Sequence, residues 1–291
     1  MTTPGKLGII GGSGLYEVPG IENIAERSVP TPWGDPSSTI VEGTLAGTSV
    51  AFLARHGRGH VLNPSDVPYR ANVAALRSIG VTHVLSISAV GSLQEHLPPR
   101  TAVLPDQVID MTRQRARTFF ENGIVAHVGL ADPFCPAFRA ALAPIVADVV
   151  ATSHDGGTYV CIEGPQFSTR AESNLYRSWD TQIIGMTAMP EARLAREAGL
   201  CYATVAFVTD YDVWHESEDD VSVEVVRRVM ADNVAAGREI VRQVAAAGLP
   251  FCDEGCAQAL AGAVITADEY LDDAARERLA FFGMPTLADP R

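Results

Sequence analysis

The stretch Ile184–Trp214, IGMTAMPEARLAREAGLCYATVAFVTDYDVW, decides how the rest of the chain is read. Pro190 suits the first turn of a helix, where the amide it lacks would go unbonded, and Gly199 suits the end, where a left-handed residue closes the last turn. The run Cys201–Val208 is continuously apolar, which predicts a parallel strand covered on both faces. Asp210 and Asp212 then fall at its carboxyl end. Ligands of open α/β sheets sit at the carboxyl ends of strands, so the pair is a candidate for chemistry, although an ordinary acidic loop looks the same.

Strands that end in small or polar loops recur on either side of this stretch. Leu7–Ile10 runs into Gly11-Gly12-Ser13-Gly14, which lacks the lysine of a P-loop and the third glycine of a dinucleotide fingerprint; it is an anion cradle or a tight turn. Ser38–Thr44 and Thr48–Leu53 form a predicted hairpin, and the second strand opens into Ala54-Arg55-His56-Gly57-Arg58-Gly59-His60. That cluster offers charge-assisted donors to a phosphate, or is an exposed basic turn. Tyr69–Ile79 is a predicted helix closed by Gly80, Val81–Ser88 a buried strand, and Ser88–Ser92 a small-residue loop at its end. Val103–Ile109 reads as one further strand. Thr112–Asn122, with Arg113, Arg115 and Arg117 alternating, reads as a surface loop. A helix over 136–151 and a strand over Tyr159–Ile162 precede Glu163-Gly164-Pro165-Gln166-Phe167-Ser168 and a polar helix, Thr169–Ser178. A long helix is predicted over Val221–Ala247, with Val223 and Val226 on one face.

Composition narrows the function classes. Lys+Arg 22 against Asp+Glu 35 gives a net charge of −13, which disfavours nucleic acid and anionic membranes as partners. The start of the chain has no signal-like apolar segment and no run of eighteen apolar residues occurs, so a soluble cytoplasmic protein is expected. Five cysteines, Cys135, Cys161, Cys201, Cys252 and Cys256, read as free thiols of a reducing compartment. Cys252 and Cys256 stand one helical turn apart, but no second ligand pair follows them to indicate zinc. The organisation expected is one main domain over 1–250 and a C-terminal helical extension over 251–291, packed on it or on a neighbouring subunit, with helices near Cys256–Val264 and Asp272–Phe282.

Taken in order, Gly11-Gly12-Ser13-Gly14, Arg55-His56-Gly57, Ile162-Glu163-Gly164-Pro165-Gln166-Phe167-Ser168, Met186-Thr187-Ala188-Met189-Pro190-Glu191 and Thr209-Asp210-Tyr211-Asp212 resemble the trimeric purine nucleoside phosphorylases. The resemblance runs from about Leu7 to about Val244. It implies a single α/β domain with a mixed, partly barrel-like central sheet flanked by helices, assembled as a homotrimer or a dimer of trimers. The implied activity is phosphate-dependent cleavage of a purine nucleoside, with inorganic phosphate as co-substrate and no cofactor or metal. By matching motif, Ser13, Arg55, His56, Ser88, the Ala89 backbone and Thr187 would hold phosphate. Met186, Phe167, Tyr211, Asp210 and Asp212 would meet the nucleoside, with His127 reaching in from a neighbour and His60 at the entry. Ser168, Val223 and Val226 would set specificity, the two valines at the 5′ group. Gly185 stands where some members carry Asn, so the ribose contacts of that side chain are not expected here.

The chemistry of the side chains refines that expectation. Asp210, protonated, can donate to purine N7 and improve the leaving group, and burial beside Asp212 would let the two carboxyls share a proton. A carboxylate also accepts from a 6-amino group where a 6-oxo group would need a donor, so adenine-type bases are favoured, and with Val223 and Val226 placed at the 5′ group by the resemblance, an apolar 5′ group such as methylthio is expected. A 6-oxopurine nucleoside phosphorylase, a nucleosidase using water and a non-enzymatic nucleoside sensor are the competing readings.

Overall fold

The computed structural model describes residues 5–12, 18–216 and 220–284, with Val225 and Arg228 described by backbone alone. The strands among them are β1 Lys6–Gly11, β2 Ile21–Arg27, β3 Ile40–Leu45, β4 Thr48–Ala54, β5 Val81–Ser92, β6 Ala102–Leu104, β7 Gln107–Asp110, β8 Ser153–Asp155, β9 Thr158–Cys161, β10 Ile183–Gly185 and β11 Cys201–Asp210. The helices are α1 Tyr69–Ser78, α2 Pro136–Val149, α3 Arg170–Ser178, α4 Ala188–Glu197, α5 Val223–Ala247 and α6 Asp273–Phe281.

One mixed sheet runs β2-β3-β4-β1-β5-β10-β9-β7, and β11 branches from β5 towards β6 and β8. The branch is possible because β5 serves two parts of the sheet in succession. It lies parallel to β11 as far as Gly91 and parallel to β1 as far as Ser86, whereas on the edge facing β10 Gly91 and Ser92 pair antiparallel. The segment Ser88–Ser92, expected as a loop, is therefore strand: neighbouring backbones supply hydrogen-bond partners, and tertiary pairing overrides the weak β-preference of Ser, Ala and Gly.

All ten positions of β11 are buried. Apolar cores cover both faces of the sheet. One contains Val73 of α1 and Leu194 of α4, and the other contains Phe138 and Leu142 of α2 with Ile240 and Val244 of α5. The continuous apolar run thus has the double cover expected of it, although its pairing is parallel to β5 on one side and antiparallel to β6 on the other.

Three local expectations are corrected, and one strand, β2, was not expected. The single strand over Val103–Ile109 is divided at Pro105-Asp106 into β6 and β7, which pair with β8 and β9 respectively. Exposed β2 lacks the apolar alternation that would have revealed it, and it is held by antiparallel pairing to β3. The long helix starts at Val223, not Val221. Cys256–Val264 is not a helix: a 3₁₀ turn spans Cys256–Gln258, flanked by Gly255 and Gly262 at φ 71 and 70, which a helix cannot continue through. Further on, Asp272 caps α6 by accepting from the Ala275 amide at 2.7 Å. Phe282 then packs on Phe119 and Trp33, with ring centroids 4.8 and 5.5 Å apart, so this part of the tail lies on the body of the same chain. No helix among the described residues is long and apolar enough to cross a membrane.

Candidate active site

A cavity of about 660 Å³ opens at the carboxyl ends of β4, β5 and β11, between the loops that follow β9 and β10 and the start of α5. Arg55 and His56 follow directly on β4, Ser88 and Ala89 lie on β5, Thr187 precedes α4, and Asp210 ends β11. Residues distant in sequence meet here because parallel strands deliver their carboxyl ends to one edge.

At one end the lining is cationic only in part. The Arg55 guanidinium, 2 % exposed, donates from Nε and Nη2 to the two oxygens of Glu191 at 2.9 and 3.0 Å. It also donates from Nη2 to Ser86 Oγ at 2.7 Å and from Nη1 to the Ile87 carbonyl at 3.2 Å. One Nη1 hydrogen is left for an anion, because the group has five N–H bonds in all. His56 shares Nδ1 with the Leu62 carbonyl at 2.9 Å and stacks on His60 at 4.3 Å. Burial first, and the Arg55 cation next, push the His56 imidazole down to about 4. It is therefore neutral at pH 7 and donates from Nδ1. Ser88 Oγ is buried without a hydrogen-bond partner, and Thr187, the residue before α4, spends no side-chain bond on capping. The Ser88 hydroxyl is thus available to an anion, with Thr187 beside it on the cavity wall. Gly12 lines the same end, while Ser13 lies outside the described residues.

At the other end, Asp210 and Asp212 are 4 % exposed. Asp210 accepts from the Thr209 hydroxyl at 2.7 Å and from the Asp212 amide at 2.8 Å, an Asx-type turn made possible by the left-handed Asp212 backbone at φ 55. Burial raises the Asp210 carboxyl to about 6 against these two donors, and the Asp212 charge adds to the rise. Asp212 is raised by burial as well, tempered by the Ser173 and Ser168 hydroxyls. The pair does not share a proton through a direct hydrogen bond. The Asp210 carboxylate takes both donors of the turn, whereas Asp212 Oδ2 is buried without a hydrogen-bond partner.

Between the ends stands Met186, whose sulfur would lie 2.4 Å from a Cβ on Gly164, so any side chain at 164 would displace it. The Tyr159 hydroxyl would lie 2.0 Å from a Cβ on Gly185. An Asn at 185 is excluded by the buried phenol, which accounts for the glycine. Phe167, 40 % exposed, lines the mouth with Val223, while Val226 and Met230 on α5 form an apolar wall beside Asn233. Asn233 is buried and its Nδ2 has no partner.

One expectation is displaced. Tyr211 is not among the lining residues: its hydroxyl donates to the Glu95 carbonyl at 3.4 Å and its ring stacks on His215 at 4.5 Å. His127 is exposed and away from this chain's cavity, its amide bonded to the Ala263 carbonyl. The surface loop expected around Arg115 is a buried scaffold instead. Arg115 donates to the carbonyls of Met186 and Met189 at 2.6 Å and of Glu163 at 2.7 Å, and pairs with the Glu163 carboxylate at 3.2 Å. It thereby fixes the two loops that flank Met186. Glu191, Arg115, Asn233 and Met230 were missed because nothing in their local sequence distinguishes them from surface residues; the motif around Met186–Glu191 contained Glu191 without its role.

The chain belongs to the phosphorylase superfamily, whose family model matches residues 6–246. Among its relatives, the S-methyl-5′-thioadenosine phosphorylase of Koribacter versatilis is 50% identical over 274 residues, 94% of each chain. That of Rhodospirillum rubrum is 54% identical over 240 residues, 82% of each. A crystal structure of a methylthioadenosine phosphorylase from an antarctic soil metagenomic library superimposes with a TM-score of 0.89 at 47% identity, covering 97% of this chain and 99% of that one. The Schistosoma mansoni enzyme solved in complex with adenine gives a TM-score of 0.76 at 39% identity, covering 84% and 91%.

Proposed function

We propose that this chain cleaves 5′-methylthioadenosine by phosphorolysis, giving adenine and 5-methylthioribose 1-phosphate. The observation that carries the reading is Asp210: a buried carboxyl held near 6, inside the cavity and at the opposite end from Arg55 and His56. Along β5 the backbone next to Arg55 and the backbone next to Asp210 are Ile87 and Gly91, a separation of roughly 13 Å at the rise of a strand, which leaves room for a pentose between anion and base.

Phosphate binds between the remaining Arg55 N–H, His56, Ser88, Thr187 and Gly12, which place its oxygen against the anomeric carbon. As the glycosidic bond lengthens, positive charge develops on the ribose and is stabilised by the phosphate on one face, while Met186 offers an apolar, polarisable surface that does not compete as a nucleophile. Asp210 carries a proton to purine N7, so the base leaves neutral. The carboxylates suit the 6-amino group of adenine, and the Val226 and Met230 wall suits a methylthio group better than a hydroxyl. Three copies around an axis, with the exposed His127 of one closing the cavity of the next, complete the site, and five cysteines without a disulfide suit a reducing cytoplasm.

The test is base release from 5′-methylthioadenosine with and without phosphate. Expected is adenine release only when phosphate is present, with a sugar phosphate as co-product; equal release in phosphate-free buffer indicates a nucleosidase, and binding without turnover a sensor.

A further inference from the structure

Cys135, Cys201, Cys252 and Cys256 come from three separated places in the fold, yet their sulfur atoms all lie within 4.8 Å of one another. Cys135 is the N-cap of α2, Cys201 opens β11, and Cys252 and Cys256 stand in the tail beyond α5. The sequence alone joined only the last two. Folding supplies the missing second pair from residues that share no spacing.

We propose that these four cysteines bind one zinc ion as a closed tetrathiolate site that fastens the start of the C-terminal tail to the core. A tetrahedral ion with Zn–S bonds of about 2.3 Å sets neighbouring sulfurs about 3.8 Å apart. Cys135 and Cys252 already stand 3.7 Å apart. A cluster of several irons needs its four sulfurs farther apart than this group allows, and a disulfide needs two of them at about 2.05 Å. Four thiolates without an open position are the donor set of structural zinc, and Cys252-x₃-Cys256 has the short spacing of such sites. Gly255, at φ 71, turns the chain between them.

The surroundings match the charge that results. Binding Zn²⁺ releases the four thiol protons and leaves a group of charge −2. Arg196 already donates from Nη1 to Cys256 Sγ at 3.4 Å, and the Phe138 amide donates to Cys135 Sγ at 3.5 Å, which are the outer bonds that hold metal-bound thiolates. Cys135, Cys201 and Cys256 are buried, so the ion would be shielded from solvent, and the Cys135 amide is fixed to the Tyr202 carbonyl at 2.7 Å before any metal arrives. Cys201 and Asp210 are the two ends of β11, roughly 30 Å apart at the rise of a strand, so the ion has no part in the chemistry at the cavity.

The full chain, purified under reducing conditions without chelator, is assayed for metal by elemental mass spectrometry. About one zinc per chain is expected. Stripping the ion with chelator lowers the melting temperature and opens the four thiols to alkylation, Zn²⁺ alone reverses both, and Co²⁺ in its place gives the visible bands of a tetrahedral cobalt thiolate. Cys252→Ser, on the least buried ligand, should weaken zinc by more than the roughly 100-fold that loss of an outer partner costs, with phosphorolysis unchanged in the folded protein. Should that variant fail to fold, the stripping and refilling of the unaltered chain decides the matter. Metal-free protein that Zn²⁺ neither stabilises nor protects from alkylation overturns the proposal, as do disulfides among these cysteines in the freshly reduced chain, iron in place of zinc, or full zinc retention by Cys252→Ser.

Discussion

Arg55 and Glu191 form a two-pronged ion pair in the interior, Nε to Oε2 at 2.9 Å and Nη2 to Oε1 at 3.0 Å, with side chains 3 % and 1 % exposed. The pair joins the end of β4 to the first turn of α4, and the Tyr202 hydroxyl donates to the same carboxylate at 2.8 Å. Glu191 thus decides which way the Arg55 fork points, and leaves one N–H directed elsewhere.

Removing either partner should therefore unfold before it merely weakens phosphate binding. Arg55→Ala or Glu191→Ala is expected to cost about 3–5 kcal/mol, because each leaves an uncompensated buried charge. Urea unfolding measures this. Arg55→Lys keeps the charge but cannot form the fork, and should show a raised KM for phosphate with a smaller stability loss; an unchanged phosphate KM in that variant would take Arg55 out of the anion site.

Asp210→Asn separates catalysis from stability. With saturating phosphate, kcat/KM for an adenine nucleoside should fall as pH rises through about 6, where Asp210 loses its proton, and the variant should lack this limb and lose about 10²–10⁴ in rate. Its folded-state value lies above the ordinary 3.8, so the native chain binds the proton more tightly than the unfolded one. The associated stability is present below 3.8 and is lost as pH rises through about 6, a difference of at most about 3 kcal/mol. Asp210→Asn should consequently melt higher than the parent at pH 7.5 and lose that advantage below pH 4. A variant less stable at neutral pH would contradict this account of the burial.

His56, at about 4, is neutral in the empty cavity, and a bound dianion would favour its protonation. Sulfate carries no titrating proton near neutrality, so its binding at pH 6 should draw protons onto the protein. Calorimetry in two buffers of different ionisation heat gives the number taken up. His56→Asn should abolish the uptake; the same uptake in that variant would move the proton to another group.

The apolar wall for the 5′ group centres on Val226 and Met230, since Val223 is 59 % exposed at the cavity mouth. Val226→Ser should narrow the preference for methylthioadenosine over adenosine by about tenfold, from the loss of two methyl-sized groups at roughly 0.8 kcal/mol each. Val223→Ser should do less. The adenine preference should stay as it is, and a change in base choice would detach α5 from the 5′ end.

How much of this was legible beforehand follows from the range over which each signal acts. Local periodicity placed β1, α1, α2, β11 and α6 within a few residues, because apolar runs and breakers reflect burial of the element that carries them. The motifs led to Arg55, His56, Met186, Thr187 and Asp210, all on one cavity, since carboxyl ends of strands follow from strand order alone. Three things had no local signature. Ser88–Ser92 is strand because β10 and β11 lie beside it, Arg115 is buried because four carbonyls from two loops and Glu163 receive it, and Asp210 and Asp212 are held apart by a turn rather than joined by a proton. The sequence determined by itself which regular strands and helices are buried and which side chains are chemically able. Partner choice, for Arg55 with Glu191 and for Cys135 and Cys201 with Cys252 and Cys256, was decided only in the tertiary structure, because it depends on distances between elements that no spacing along the chain encodes.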